Sequence, residues 1–190
     1  LGPGLWRPKA AGARAPATPA LVLHRESLHS IGCHAHRPGI PRMTDALIEP
    51  VIGLIGGSGV HDIEGLEGRE WRQVRTPWGY PSDELLFGEL NGQQMVFLPR
   101  HGRGHKIPPS EINFRANIDA LKRAGVTDVI SVSAVGSLRE HLSPGSFVIV
   151  DQFIDRTFAR DKSFFDTGCV AHVSMARPVC PRLGDHLQAA

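Results

Sequence analysis

Cysteine is scarce in this sequence, and long apolar runs are absent. Cys33, Cys169 and Cys180 are too few and too widely spaced for a disulfide framework or a Cys-x-x-Cys metal site. No stretch approaches the roughly 18 apolar residues of a membrane-spanning helix. A hydrophobic content of 41% with a net charge of +2 excludes disorder of the whole chain. The sequence predicts a soluble cytoplasmic protein with no membrane partner.

Positive charge is concentrated at the amino terminus. Residues 1–42 carry six basic residues and one acid, whereas the rest of the chain carries 15 basic and 18 acidic residues. The part expected to fold therefore lacks the basic excess that would hold a nucleic acid. Residues 1–42 are rich in Ala, Pro and Gly without an apolar period, which predicts a disordered extension upstream of a natural start at Met43. A transit peptide is the alternative. The folded domain is expected over residues 43–190.

Short apolar runs with intervening turns predict strands in the folded part. Residues 51–55 form one such run, and residues 95–98, 129–132 and 147–150 form others. Asn91-Gly92 predicts a hairpin, and residues 71–75 and 84–90 are weaker strand candidates.

Two helices are predicted between and after these strands. Ser110 is expected to cap the first, whose apolar face would carry Phe114, Ile118 and Leu121 and which would stop at Gly125. The second starts at Pro181 and runs to the last residue, as if cut within the element. We therefore expect an α/β fold with a mixed central sheet and flanking helices, truncated at the carboxyl end.

Three loops that follow predicted strands offer hydrogen-bond donors suited to an anion. Glycines allow close backbone approach, serines add hydroxyl groups, and an arginine supplies a planar fork for phosphate. Ligands of open α/β sheets bind outside the carboxyl ends of the strands, so these loops together predict one phosphate site. The loops are Gly56-Gly57-Ser58-Gly59, Arg100-His101-Gly102-Arg103-Gly104-His105 and Ser133-Ala134-Val135-Gly136-Ser137.

Other sites fit the sequence less well. The first glycine turn lacks the third glycine of a dinucleotide fingerprint and the Gly-Lys-Ser/Thr ending of a Walker loop. Val60 breaks the Gly-x-Ser-x-Gly frame that would make Ser58 a nucleophile. The His101 and His105 pair has no apparent third metal ligand. Asp151 and Asp155 are expected to cap turns rather than act as paired carboxylates. We expect no metal.

Five ordered motifs between Val51 and the last residue closely resemble the S-methyl-5′-thioadenosine phosphorylases, a branch of the trimeric purine nucleoside phosphorylases. The motifs are Ile52-Gly53-Leu54-Ile55-Gly56-Gly57-Ser58-Gly59, Thr76-Pro77-Trp78-Gly79-Tyr80-Pro81-Ser82, Arg100-His101-Gly102-Arg103-Gly104-His105, Ala134-Val135-Gly136-Ser137-Leu138-Arg139-Glu140 and Asp151-Gln152-Phe153-Ile154-Asp155-Arg156-Thr157. The resemblance implies an α/β fold and phosphorolysis of S-methyl-5′-thioadenosine to adenine and 5-methylthioribose 1-phosphate, a step of purine and methionine salvage. Inorganic phosphate would be a co-substrate, with no metal or organic cofactor.

The resemblance also implies roles for individual residues. His172 matches a histidine that reaches the 5′-methylthio group from a neighbouring subunit, so a homo-oligomer, either a trimer or a dimer of trimers, would complete the site. His105 is given only a supporting place near phosphate. The residues that match the family's phosphate site are Ser58, Arg100, His101, Ser133 and Ala134.

The acid that would help the purine leave matches no residue of this sequence. Chains of the family continue beyond the point where this one stops, so the resemblance implies that this acid lies there. The fragment is then expected to bind phosphate weakly at most and to be inactive alone.

Three other functions stay open from the sequence. A sister phosphorylase would act on 6-oxopurine nucleosides such as inosine, guanosine or methylthioinosine. A nucleosidase would use water in place of phosphate and would need a carboxylate base. A non-catalytic or dinucleotide-binding α/β module would bind NAD.

Overall fold

A seven-stranded mixed sheet organises the protein in the computed structural model. The model describes the backbone of residues 18–24, together with residues 49–57, 59, 62–165 and 167–190. The strands are β1 (Thr18–His24), β2 (Ile52–Gly56), β3 (Glu67–Arg72), β4 (Leu85–Leu90), β5 (Gln93–Pro99), β6 (Asp128–Val135) and β7 (Val148–Ile149). The helices are α1 (Phe114–Arg123) and α2 (Pro181–Ala189), and a 3₁₀ turn spans Pro109–Glu111.

The sheet has the order β3-β4-β5-β2-β6-β1-β7. Strand β2 runs parallel to β5 on one side and to β6 on the other, whereas β3, β4 and β5 are joined by antiparallel pairing. The carboxyl ends of β5, β2 and β6 therefore lie side by side at one edge. The mixed α/β sheet predicted from the sequence is confirmed, and the three loops predicted to bind an anion follow the strands at its parallel centre.

The β4–β5 hairpin follows the local sequence signal. Asn91 and Gly92 both have positive φ angles, 50° and 82°, as the two-residue turn requires. The two strands are buried on both faces: Leu85, Val96 and Leu98 pack against α1, and Leu86 and Phe97 form a second cluster.

Helix α1 begins three residues later than predicted from Ser110. The N-cap is Asn113, whose Oδ1 accepts a hydrogen bond from the Ala116 N–H at 3.1 Å. Ser110 lies in the preceding 3₁₀ turn. Gly125 follows α1 with a φ of +84°, which agrees with the predicted stop.

The buried face of α1 is also rotated from the predicted one. Ala116, Asn117, Ala120 and Leu121 are buried, whereas Phe114 is 46% exposed. Small alanines allow the helix to approach the sheet closely, and a phenylalanine at the first turn does not fit there.

Helix α2 lies on the opposite face of the sheet from α1. Val129 of β6 packs in the α1 cluster, whereas the next residue, Ile130, packs with Val179 and Leu183 around α2. Successive side chains of a strand point to opposite faces, so the two helices flank the sheet. No helix among the described residues is long and apolar enough to cross a membrane.

Strand β1 lies within the extension for which the sequence analysis expected no order. It pairs antiparallel with β6 from Val129 to Val135 and parallel with β7. A short apolar run, Ala20-Leu21-Val22-Leu23, has the β propensity to pair with the β6 edge, although the surrounding composition hides it. The rest of residues 1–42 and Met43 lie outside the described residues.

Candidate active site

Arg100 connects the ends of the three central parallel strands. It follows β5, and its backbone N–H donates to the Gly56 carbonyl at the end of β2 over 3.0 Å. Its side-chain Nη1 donates to the Val132 carbonyl of β6 over 2.8 Å. A β-carbon placed on Gly57 would lie 3.7 Å from Nη2. The guanidinium therefore lies between the glycine turn and β6.

The charge of Arg100 is not balanced by an acid within the part of the chain that the structure describes. Its recorded side-chain hydrogen bonds go to a carbonyl and to an imidazole nitrogen. Partial burial lowers the pKa of Arg100, but an arginine of such high intrinsic pKa remains a cation. A half-buried cation without a carboxylate favours binding of an external anion.

The neighbouring His101 is held in one tautomer. Arginine can only donate, so His101 Nε2 accepts the hydrogen bond from Arg100 Nε at 3.1 Å. The other ring nitrogen, Nδ1, then carries the proton and donates to the Ile107 carbonyl at 2.9 Å. His101 is buried, and in this arrangement it orients Arg100 instead of presenting a donor to phosphate.

Strand β6 extends beyond the predicted residues 129–132 and includes Ser133 and Ala134. Peptide groups of successive residues in a strand face opposite edges. Because the Val132 carbonyl faces Arg100, the Ala134 N–H faces the same side, and the backbone of Ser133 faces β1. The register agrees, since Ala134 lies opposite Pro19, which has no N–H to offer, and Ser133 lies opposite Ala20. The Ala134 N–H therefore faces the same side of β6 as Arg100, and its contact with phosphate stays a prediction.

Three further residues were predicted to belong to the site: Ser58, His105 and His172. Ser58 lies outside the described residues. His105 stacks on the His101 ring with centroids 4.5 Å apart, and its supporting place near phosphate stays a prediction. His172 is exposed in the irregular segment before α2, and its predicted contact across a subunit interface stays a prediction.

One of the two carboxylates noted in the sequence caps a turn. Asp155 Oδ1 accepts hydrogen bonds from the Thr157 N–H at 2.9 Å and hydroxyl at 2.7 Å, which agrees with the predicted turn cap. These bonds lower the pKa of Asp155. Among the described residues, no group of three or more histidine, cysteine or acidic side chains could hold a metal ion.

An apolar cavity of about 340 Å³ adjoins Arg100. It lies between α1 and the sheet, and Ile55, Ile118 and Ser131 contribute to its walls. A larger cavity of about 700 Å³ between β7 and α2 includes neither Arg100 nor His101, so its size alone does not make it the site.

Sequence analysis assigned no role to Asp83 or Asn117. Asp83 accepts hydrogen bonds from Arg103, which lies in the loop of residues 100–105, called the Arg100 loop below. Buried Asn117 of α1 accepts a hydrogen bond from the Ser82 N–H. The partners lie 20 and 35 residues apart, and no local pattern in the sequence signals such pairs.

Comparison with known proteins identifies the family of this chain. The model of the phosphorylase superfamily matches residues 51–190. An S-methyl-5′-thioadenosine phosphorylase of Rhodospirillum rubrum is 65% identical over 146 residues, which cover 77% of this chain and 50% of the relative. A protein of the same name from Geobacter sulfurreducens is 57% identical over 144 residues, covering 75% of this chain and 50% of the relative. The chain thus spans about half the length of the curated relatives it matches.

Solved structures show the same likeness. A methylthioadenosine phosphorylase from an Antarctic soil metagenomic library has a TM-score of 0.70 and 51% identity, covering 73% of this chain and 49% of its own. The Schistosoma mansoni methylthioadenosine phosphorylase in complex with adenine has a TM-score of 0.68 and 44% identity, covering 74% of this chain and 50% of its own. Because the family model spans well over half of the sequence, from the first central strand to the last residue, the chain belongs to the phosphorylase superfamily.

Proposed function

We propose that this chain supplies the phosphate-binding half of an enzyme that cleaves S-methyl-5′-thioadenosine by phosphorolysis. In that reaction the bond between the purine and the anomeric carbon breaks, and its electron pair leaves with the base. A phosphate oxygen forms the new bond to the same carbon. The products are adenine, which takes up a proton, and 5-methylthioribose 1-phosphate. The names of the relatives support the substrate, and the Arg100 site supports phosphate as the nucleophile.

The observation that carries the proposal is the position of the Arg100 guanidinium. It is half-buried, it has no acid partner within the described residues, and it lies beside the Gly57 turn and the β6 edge. An arginine fork binds two phosphate oxygens at once, and a partly desolvated site strengthens that contact. The Ala134 N–H on the same side would add a backbone donor.

The groups around Arg100 would contribute to the reaction by holding phosphate in position and by balancing charge. As the base departs, the anomeric carbon gains positive charge, and a phosphate held close by supplies both the nucleophile and a compensating negative charge. His101 fixes the direction of the Arg100 fork through Nε2. A nucleosidase would instead need a carboxylate to activate water, whereas the charged group at this edge of the sheet is the cation of Arg100.

We also propose that the enzyme is a homo-oligomer, with His172 approaching the site of a neighbouring subunit. Large apolar side chains are exposed in the segment between β6 and α2, as expected of an interface. They are Leu138, Phe147, Phe153, Ile154, Phe158, Val170, Val173 and Met175. Sedimentation of a chain of the relatives' full length would test this, and a monomer at micromolar concentration would contradict it.

The function is tested by phosphate binding to this chain and by turnover in a longer one. We expect inorganic phosphate to stabilise this chain against unfolding, whereas chloride at equal ionic strength does not. With phosphate and S-methyl-5′-thioadenosine, we expect adenine release by the full-length Rhodospirillum rubrum relative and none by this chain. Adenine release in phosphate-free buffer would indicate a nucleosidase, and faster reaction with inosine would indicate a 6-oxopurine enzyme.

A further inference from the structure

A salt-bridged clasp joins the Arg100 loop to the segment that precedes β4. Asp83 accepts the Arg103 backbone N–H at 2.5 Å, and the Arg103 Nη2 lies 3.0 Å from Asp83 Oδ1. The same Nη2 donates to Glu84 Oε2 at 2.7 Å. The guanidinium carbon of Arg103 lies 4.1 Å from the centre of the Trp71 ring. Four contacts on one arginine thus fix the loop to β3 and to the start of β4.

One member of the clasp, Asp83, is sheltered from solvent. The Asp83 side chain is only 13% exposed. Partial burial acts to raise the pKa of Asp83, but the hydrogen bonds from Arg103 and from the Glu84 N–H outweigh it and hold this pKa below its usual value. The carboxylate is therefore charged at neutral pH, and the bidentate contact with arginine defines one geometry.

The backbone of the Arg100 loop also packs closely against the segment that carries Asp83. Gly102 has a φ of +69°, and a β-carbon there would lie 3.2 Å from the Ser82 carbonyl oxygen. Ser82 is bound in turn by buried Asn117, through its N–H at 2.7 Å and its hydroxyl at 2.9 Å. The path runs from α1 through Ser82 to the loop, and the next two residues back along that loop are His101 and Arg100.

From these contacts we infer that Asp83 is a positioning residue for the proposed phosphate site, acting through Arg103 on Arg100 and His101. The inference rests on the proposed function for its ligand, inorganic phosphate. The loop also has bonds of its own, because the Lys106 and Ile107 N–H groups both donate to the His101 carbonyl at 3.0 Å. Loss of the clasp should therefore shift the loop without unfolding it.

The test compares Asp83→Asn with Glu70→Gln in this chain. Glu70 is a matched control, since it pairs with Arg72, which also lies over an aromatic ring, that of Phe87, but it does not contact the loop. We expect Asp83→Asn to raise the phosphate Kd about tenfold, the effect of weakening about one hydrogen bond to a charged group, and Glu70→Gln to change it less than about twofold. Arg103→Lys, which keeps the charge but loses the fork, should act like Asp83→Asn.

A second measurement does not depend on phosphate. Imidazole ¹⁵N chemical shifts report the tautomer of His101, and we expect the protonated-Nδ1 pattern in the unmutated chain and in Glu70→Gln. In Asp83→Asn and Arg103→Lys the ¹⁵N signals should move toward a mixture of tautomers, because Arg100 no longer holds Nε2. Unchanged His101 signals in both clasp variants would overturn the inference. Absence of phosphate binding by the unmutated chain would overturn the proposed function instead, while the His101 signals would still decide the clasp.

Discussion

Replacement of Arg100 tests the proposed phosphate site most directly. Arg100→Met keeps the apolar stem and removes the cation, the fork and the hydrogen bonds to Val132 and His101. A hydrogen bond to a charged group contributes about 1.5–3 kcal/mol, so loss of one such contact to phosphate raises the Kd by about 10-fold to 150-fold. Arg100→Lys keeps the charge without the fork and should fall between Arg100→Met and the unmutated chain.

Urea unfolding with and without phosphate measures this loss of phosphate affinity. At a phosphate concentration of 100 times the Kd, binding adds about 2.7 kcal/mol to the free energy of unfolding. If Arg100→Met raises the Kd about 50-fold, the same concentration adds only about 0.6 kcal/mol. Comparison with and without phosphate separates this effect from any change in the stability of the ligand-free protein.

The control for this experiment is Arg72→Met. It removes the same side chain from an exposed strand position, where Arg72 pairs with Glu70. Phosphate should stabilise Arg72→Met and the unmutated chain equally. If phosphate stabilises Arg100→Met as strongly as the unmutated chain, Arg100 does not bind the anion and the site is elsewhere.

Three further predictions concern the framework of the site. Gly53→Ala should lower the free energy of unfolding by about 1–3 kcal/mol in a urea titration, because the new β-carbon would lie 2.7 Å from Val126 Cγ1; an unchanged midpoint would contradict this close packing. Asn117→Ala should cost about 1–3 kcal/mol in the same assay by leaving the Ser82 N–H without its partner, and a cost below about 0.5 kcal/mol would show that water replaces the amide. Asp83 has a lowered pKa, so its contribution to the free energy of unfolding is present above the unfolded pKa of about 3.9 and is lost as pH falls through the lower folded value. In Asp83→Asn the free energy of unfolding should therefore fall less steeply at acid pH than in the unmutated chain. Identical pH profiles of the two proteins would refute this prediction.

Local signals in the sequence predicted those parts of the fold that local contacts determine. The Asn91-Gly92 turn carries its own conformational preference, and the structure has both positive φ angles there. The start of α1 was predicted wrongly because Ser110 and Asn113 can both cap a helix, and the proline-rich segment before it forms a 3₁₀ turn that delays the helix to Phe114. Strand β1 could not be predicted in this way, because it pairs with β6, which lies more than 100 residues later in the chain.

In the candidate site, too, the features with a local sequence pattern could be predicted, and the features that depend on distant contacts could not. Arg100 could be found because an arginine beside glycines after a strand is a local pattern with a chemical meaning. The tautomer of His101 could not, because it depends on which atoms Arg100 and Ile107 present to the two ring nitrogens. The clasp was missed because Asp83 and Arg103 are 20 residues apart, and each looks like an ordinary surface charge in the sequence.

The sheet topology shows which strands the proposed phosphate site would use. Strands β5, β2 and β6 are adjacent and parallel, so the groups at their carboxyl ends converge at one edge of the sheet. Cradling an anion needs only donors fixed at that edge, whereas expelling a purine also needs a proton source placed on the far side of the sugar. The two tasks are thus separable in space. A chain that binds phosphate through Arg100 and releases no adenine would be the physical consequence of that separation.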